Sequence, residues 1–288
     1  MCTIQFKEKY MKRENYLKNY YNSIKYIILS YIQFDDFSKK NLKKFGIYKA
    51  EVSFPLKILI IIIFKQITNK LHLIFHFYSR KKFYINIAKN KKNVKNKYII
   101  NALWFKKSSY YWHNIFKKFS LYKKKLQILE IGSFEGYSSL YFLENFPNSI
   151  ITCVDSWKNN AEQKRFNLSI VEKNFDKNTL KFKNKLKKFK QSSDHFFEKR
   201  AKKIVNYYDI IYIDGNHYYE FVFKDALNSF KALKIGGIII LDDFIGYHFF
   251  KKYNENPIGA IIVFINIFYK KLKILKITNQ IIIQKISN

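Results

Sequence analysis

The sequence predicts an α/β protein. It should have a mainly parallel seven-stranded sheet with helices on both faces and a C-terminal antiparallel hairpin, preceded by a basic, helical N-terminal extension. Three observations carry this. From Leu126 onward, short β-branched runs alternate with helical stretches, and such alternation builds a parallel sheet covered on both faces. The last two apolar runs are joined through Asn279-Gln280, the spacing of a hairpin. Hydrophobic residues make up 48% of the 288, with only 8 Gly and 3 Pro, so the chain can bury a sizeable core and disorder is not the default.

The elements follow in order. Leu126–Ile131 is a strand ending at Gly132, and Tyr137–Asn145 a helix closed by Pro147. Ser149–Val154 is a second strand, ending at Asp155. Ser169–Lys185 reads as helix and Leu186–Lys190 as a weakly marked third strand. Tyr208–Ile213 is the fourth, ending at Asp214. Tyr219–Leu233 is helical, Gly237–Leu241 is the fifth strand, ending at Asp242, and Pro257–Tyr269 is helical. Leu272–Ile277 and Ile281–Ile286 form the hairpin. No internal repeat is visible.

Residues 1–100 form the extension and 101–288 the α/β domain. The extension carries no chemical motif. Ser53-Phe54-Pro55 can open a helix. The apolar runs to Phe64 and from Leu71 to Tyr78 suit a helical pair packed on the domain, or an interfacial helix on an anionic membrane. Lys89–Lys97 is a basic linker or exposed loop. The longest apolar run, Ile58–Phe64, falls well short of the roughly 20 residues that span a bilayer.

Charge and cysteine content narrow the class. The formal net charge is +33, and the first 100 residues carry half of it, with 22 Lys+Arg against 5 Asp+Glu. Either an anionic partner or an AT-rich genome, which favours Lys, Asn, Ile, Phe and Tyr codons, accounts for it. Two cysteines, Cys2 and Cys153, exclude a disulfide framework and a thiolate metal site. The N-terminus lacks the pattern of a signal peptide. Together these place the chain in the cytoplasm, with peripheral membrane contact through the extension as an option.

In open parallel sheets, ligands sit at the carboxyl ends of the strands. The first strand ends Glu130-Ile131-Gly132-Ser133-Phe134-Glu135-Gly136. Gly132 permits a tight turn, and Gly136 lets the next helix pack close to the strand. Phe134 holds the position of the second glycine of a dinucleotide fingerprint, which disfavours a nicotinamide dehydrogenase. Asp155 follows Gly132 by 23 residues, where a carboxylate can accept from both hydroxyls of a ribose. Trp157 either covers an adenine or packs in the core. The fourth strand ends Asp214-Gly215-Asn216-His217 and the fifth Asp242-Asp243. Three carboxylates on one rim repel unless a hard cation such as Mg²⁺ joins them. His217 can serve as a general base near neutral pH.

These segments, in this order, together with Gly236-Gly237, resemble class I S-adenosylmethionine-dependent methyltransferases with a Rossmann-like sheet. They are most similar to the metal-dependent O-methyltransferases of the catechol and macrolide-sugar type. The likeness runs from about Trp104 to Ile286. It implies that Glu130 and Gly132, with Ser133 and Gly136 in the same loop, line the methionine end of the cofactor. It implies that Asp155 holds the ribose, that Ser192 and Ser193 border the adenine, and that Asp214, Asp242 and Asp243 hold Mg²⁺. His217 is then the base. Lys190-Gln191 stand where the family has a glycine before the adenine-side serine. The implied acceptor is a small-molecule or glycan hydroxyl. Asp214-Gly215-Asn216-His217 replaces the Asn/Asp-Pro-Pro-aromatic motif of nucleic-acid base methyltransferases, so nucleic acid is not the expected substrate. Ribose methylation of RNA and a non-catalytic, membrane-associated scaffold are the alternatives.

Overall fold

The computed structural model describes residues 60, 64, 98–158, 166–244 and 257–288, without the side chain of Lys107. Ile60 and Phe64 are helical and exposed; the other expectations for residues 1–97 lie outside the described residues.

The described chain runs α1 (Ser109–Lys118), β1 (Gln127–Ile131), α2 (Tyr137–Asn145), β2 (Ile150–Asp155), α3 (Leu168–Thr179), β3 (Leu186–Lys190), α4 (Ser193–Arg200), β4 (Tyr208–Ile213), α5 (Tyr219–Ala232), β5 (Leu233–Leu241), α6 (Pro257–Phe268), β6 (Leu272–Ile277) and β7 (Ile281–Lys285). The seven strands form one sheet in the order β3-β2-β1-β4-β5-β7-β6. β3 to β5 are parallel, and β7 joins β5 antiparallel. The predicted α/β class, the mainly parallel sheet and the closing hairpin are all present.

Successive strand residues point to opposite faces, and the sheet divides its core accordingly. Leu129, Ile131, Ile211, Ile213, Ile239 and Leu241 face α4, α5 and α6, meeting Phe196, Phe223, Phe230 and Ile261. Ile128, Ile151, Ile210, Tyr212, Ile238 and Ile240 face α1, α2 and α3, meeting Trp112, Phe116, Phe142 and Phe175. α6 reads PIGAIIVFINIF, a helix apolar on every side, and ten of its twelve residues are buried.

Four differences from the sequence reading have local causes. The helix expected over Ser169–Lys185 ends at Thr179; tighter 3₁₀ turns follow, and Phe182 (φ −110°, ψ 19°) breaks them. β5 begins at Leu233 rather than Gly237, because Leu233 already pairs with Tyr208 before a register shift. α1 was not anticipated. Neither was α4, although its signals are readable: Ser192 caps it, accepting from the His195 amide, and Lys199 and Arg200 close it.

Candidate active site at the carboxyl ends of the strands

The strand order reverses between β1 and β4, which opens a crevice at their carboxyl ends. Three strand exits line it, laced by backbone bonds. Gly132 N–H donates to Val154 O (2.9 Å), Asp214 N–H to Ile131 O (2.8 Å), and Asp242 N–H to Ile213 O (3.0 Å). Gly132 has φ 83°, and a Cβ on it would stand 1.9 Å from the Asp214 carbonyl oxygen. Only glycine lets these two turns touch. Gly136 (φ 84°) makes a different close approach from the one expected. Its Cα faces the Phe175 ring of α3, which a Cβ would meet at 3.0 Å, so it serves helix–helix packing rather than helix–strand packing.

Asp155 anchors the first turn. Its Oδ2 accepts from the amides of Ser133 (2.9 Å) and Phe134 (3.0 Å), and its Oδ1 from the amide of Trp157 (2.8 Å). Burial pushes its carboxyl pKa up, and the three amides oppose the rise. A carboxylate has about four acceptor positions. Three are used by backbone amides and one remains. Trp157 packs: its indole lies 5.0 Å from Phe175, its Nε1–H donates to Phe134 O (3.0 Å), and it is 5% exposed.

Glu130 lies beneath the turn, fully buried. Its Oε2 accepts from Ser133 Oγ (2.9 Å), from Ser139 Oγ and from Cys153 Sγ (3.3 Å), while Oε1 has no partner. Burial raises its pKa, and the surrounding hydroxyls pull the other way. On the far side of Asp155, Gln191 N–H donates to Asp155 O (3.0 Å), which sets the Ser192–Ser193 turn against it.

The acidic cluster stands beside Gly132. Oxygens of Asp214 and Asp243 and a nitrogen of His217 lie within 4.8 Å of one another. His217 Nε2 is 2.9 Å from Asp243 Oδ2 and 3.8 Å from Asp214 Oδ1. Asp243 has φ 52°, a left-handed conformation that non-glycine residues adopt at a cost. Asp242, expected as a third ligand, stands outside this trio, its Oδ2 sharing the Tyr212 hydroxyl with Asp214 Oδ2. Its Oδ2 accepts from Tyr212 Oη–H (2.5 Å) and Gln280 Nε2–H (2.6 Å), and its Oδ1 from the Asp243 amide (2.7 Å) and Asn279 Nδ2–H (3.3 Å). Four donors occupy it, whereas His217 takes the place beside Asp214 and Asp243. Burial is the largest cause raising the Asp214 and Asp242 carboxyls. At Asp214, Asp243 adds to the rise while His217 and Tyr212 oppose it; at Asp242, both other carboxylates add to it.

The sequence reading missed Tyr212 and Gln280. The Tyr212 hydroxyl bridges Asp242 and Asp214 Oδ2 (2.7 Å) from inside the core. Gln280 holds Asp242 with its amide N–H while its Oε1 accepts from Trp112 Nε1 (2.8 Å), so the hairpin and α1 both brace the cluster. The available signal was a glutamine at a hairpin turn between two runs of isoleucine.

Residues 129–244 match a family model described as a methyltransferase domain. A 129-residue stretch, 43% of this chain, is 28% identical to uncharacterized protein R132 of Acanthamoeba polyphaga mimivirus. It covers 54% of that protein, so the chain spans about half the length of the curated relative it matches. Among solved structures, MycE methyltransferase of the mycinamycin pathway, in complex with Mg, S-adenosylhomocysteine and mycinamycin VI, is similar over 69% of this chain and 53% of its own, at 14% identity and TM-score 0.47. The O-methyltransferase TomG of Streptomyces achromogenes, in complex with S-adenosylmethionine, is similar over 56% and 73%, at 11% identity and TM-score 0.43.

Proposed function

We propose that this chain, whose residues 129–244 match a family model described as a methyltransferase domain, transfers the methyl group of S-adenosylmethionine to a hydroxyl of a small molecule or glycan. The expected methyltransferase domain is matched over residues 129–244; the activity, the acceptor, the metal and the roles of single residues are our reading. The observation that carries it is the meeting of Asp214, His217 and Asp243 beside the Gly132 turn.

The residues suit the cofactor. Asp155 keeps one acceptor position for a ribose hydroxyl. The Gly132–Ser133 turn, packed against Asp214, is the one we assign to the methionine end, and Ser192 and Ser193 to the adenine side. When bound, the cofactor supplies an electrophilic methyl on a sulfonium. The chain's part is to hold donor and acceptor in line, which supplies much of the acceleration.

The cluster also suits a divalent cation: its two carboxylates are the oxygen donors that Mg²⁺ and Mn²⁺ take, whereas its imidazole is a donor suited to softer ions. Mg²⁺ or Mn²⁺ held by Asp214 and Asp243 would lower the pKa of an acceptor hydroxyl, with His217 beside it. Asp242 then orients Tyr212 and the Asp243 backbone instead of coordinating. A second reading rests on the 2.9 Å His217–Asp243 pair, in which Asp243 steadies His217 as a general base without a metal. The basic extension supports peripheral contact with an anionic membrane in the cytoplasm.

The test is transfer of labelled methyl to a panel of hydroxylated acceptors after chelator dialysis. Restoration by Mg²⁺ or Mn²⁺ supports the metal reading. Chelator-insensitive transfer that His217→Ala removes supports the base reading. Labelling of RNA alone would replace the small-molecule acceptor with a ribose.

A further inference from the structure

Glu135 lies in the turn after β1, outside the acidic cluster, and is 3% exposed. A buried carboxylate is costly unless hydrogen bonds hold it, and both its oxygens are filled. Oε2 accepts from the amides of Asn101 (2.7 Å) and Ala102 (3.2 Å). Oε1 accepts from Asn101 Nδ2–H (2.7 Å) and, on α3, from Asn174 Nδ2–H (3.0 Å). Asn178, one helical turn further along α3 and 2% exposed, repeats the tie. Its Nδ2–H donates to the carbonyls of Glu135 (2.8 Å) and Ile99 (2.9 Å), and its Oδ1 accepts from the Ile99 amide (2.7 Å). Residues 98–103 form neither helix nor strand, so these side chains, rather than a backbone ladder, fix the segment on the turn.

The segment leads to Trp104. Its ring lies 5.1 Å from Phe134 and 5.8 Å from Phe166, which are themselves 5.2 Å apart. Phe134 stands at φ 48°, a left-handed conformation that persists only where the surroundings hold it. Its amide donates to Asp155 Oδ2 (3.0 Å), and its carbonyl accepts from Trp157 Nε1–H (3.0 Å).

We propose that Glu135 is a positioning residue for cofactor binding: it clamps residues 99–104 onto the turn, so that Trp104 keeps Phe134, and with it the carboxylate of Asp155, in the binding conformation. This rests on the S-adenosylmethionine reading given above, which assigns the turn and Asp155 to the cofactor. Without the clamp the turn samples other conformations, and affinity falls with the fraction of molecules in the competent one. Glu135 and Trp104 act through one device, so losing both costs no more than losing Glu135 alone.

The experiment is calorimetry of the full chain with S-adenosylhomocysteine, for the wild type, Glu135→Ala, Glu135→Gln, Trp104→Ala and the Glu135→Ala/Trp104→Ala pair. Circular dichroism and thermal melting report folding. Affinity should fall about tenfold in Glu135→Ala and about fivefold in Trp104→Ala, with the pair no weaker than Glu135→Ala. Glutamine keeps one oxygen for the two backbone amides, so Glu135→Gln should bind within about threefold of wild type. A merely structural Glu135 would lower the melting temperature and leave the affinity of the folded variants in place. That result, losses that multiply in the pair, or a Glu135→Gln as weak as Glu135→Ala would each overturn the proposal and leave the cofactor reading standing. Trp104 is 59% exposed, so Trp104→Ala remains a test if Glu135→Ala does not fold: wild-type affinity in it overturns the proposal. Absence of binding by the folded wild type removes both readings.

Discussion

Asp242 and Asp243 are neighbours in sequence with opposite duties. Asp243, in a left-handed conformation, turns into the cluster with Asp214 and His217. Asp242 turns back onto Tyr212 and Gln280. Substitutions should separate them. Asp214→Asn is expected to cut methyl transfer by about a hundredfold or more, as loss of a group at the reacting centre does. Asp242→Asn should cost roughly 10-fold to 100-fold in metal affinity, the usual effect of losing a group that orients a ligand. Steady-state rates and metal titration on the two variants check this, and an Asp242→Asn as inert as Asp214→Asn would contradict the division. Asp225, 1% exposed on α5, carries a stability prediction, since burial raises its carboxyl. Its folded pKa of about 7 exceeds the unfolded value of about 3.9, so the native state holds more protons between them. Its contribution therefore makes the protein less stable as pH rises from about 4 to about 7, and level above. Asp225→Asn should remove this, gaining up to about 4 kcal/mol over wild type near pH 8 and little near pH 4, as read by denaturant melts. The gathering of Gly132, Asp155, Asp214, Asp243 and His217 at one rim was legible because strand ends mark the rim of such a sheet. The diversion of Asp242 was not, because neighbouring residues after a strand can take either direction and only the backbone turn decides.

Each turn and helix end is fitted to the rim. The Gly132 turn tolerates no side chain: a Cβ would overlap the Asp214 carbonyl at 1.9 Å, and φ is 83° besides. A Cβ on Gly136 would meet the Phe175 ring at 3.0 Å and Thr179 Cγ2 at 3.7 Å, side chains rather than backbone, also at positive φ. Gly132→Ala is expected to leave no soluble folded protein, or to lower stability by more than about 4 kcal/mol, whereas Gly136→Ala should cost about 1–3 kcal/mol. Comparable melting temperatures for the two would contradict this account of the turn. The hairpin has its own role, because Gln280, between β6 and β7, bridges Trp112 of α1 and Asp242. Gln280→Leu should weaken metal binding about tenfold with little loss of fold. The strands and α2 were legible from β-branched runs and the Pro147 stop. α4 was not recognised, because its eight residues, SDHFFEKR, show little apolar period and only the cap announces it. Gln280 was hidden because a glutamine in a hairpin turn looks solvated until the tertiary structure buries it to 1% exposure.

At the scale of the molecule, the order β3-β2-β1-β4-β5-β7-β6 brings three strand exits to one rim and leaves two apolar layers to hold them. Alternation of strand and helix made this architecture legible. The ligands lie beyond sequence reading, because an acceptor is selected by the shape of a pocket that distant segments build together. No helix among the described residues is long and apolar enough to cross a membrane. The central claim is that the rim binds S-adenosylmethionine through Asp155. A ligand that binds only the folded chain stabilises it by about 2.7 kcal/mol at a hundred times its Kd, so melting shifts give a rapid first reading. The direct measurement is calorimetric titration of the full chain with S-adenosylmethionine, with and without Mg²⁺, beside Asp155→Ala. The account predicts micromolar binding by the wild type that the folded variant loses. Absence of binding by the folded wild type, or undiminished binding by Asp155→Ala, would contradict it.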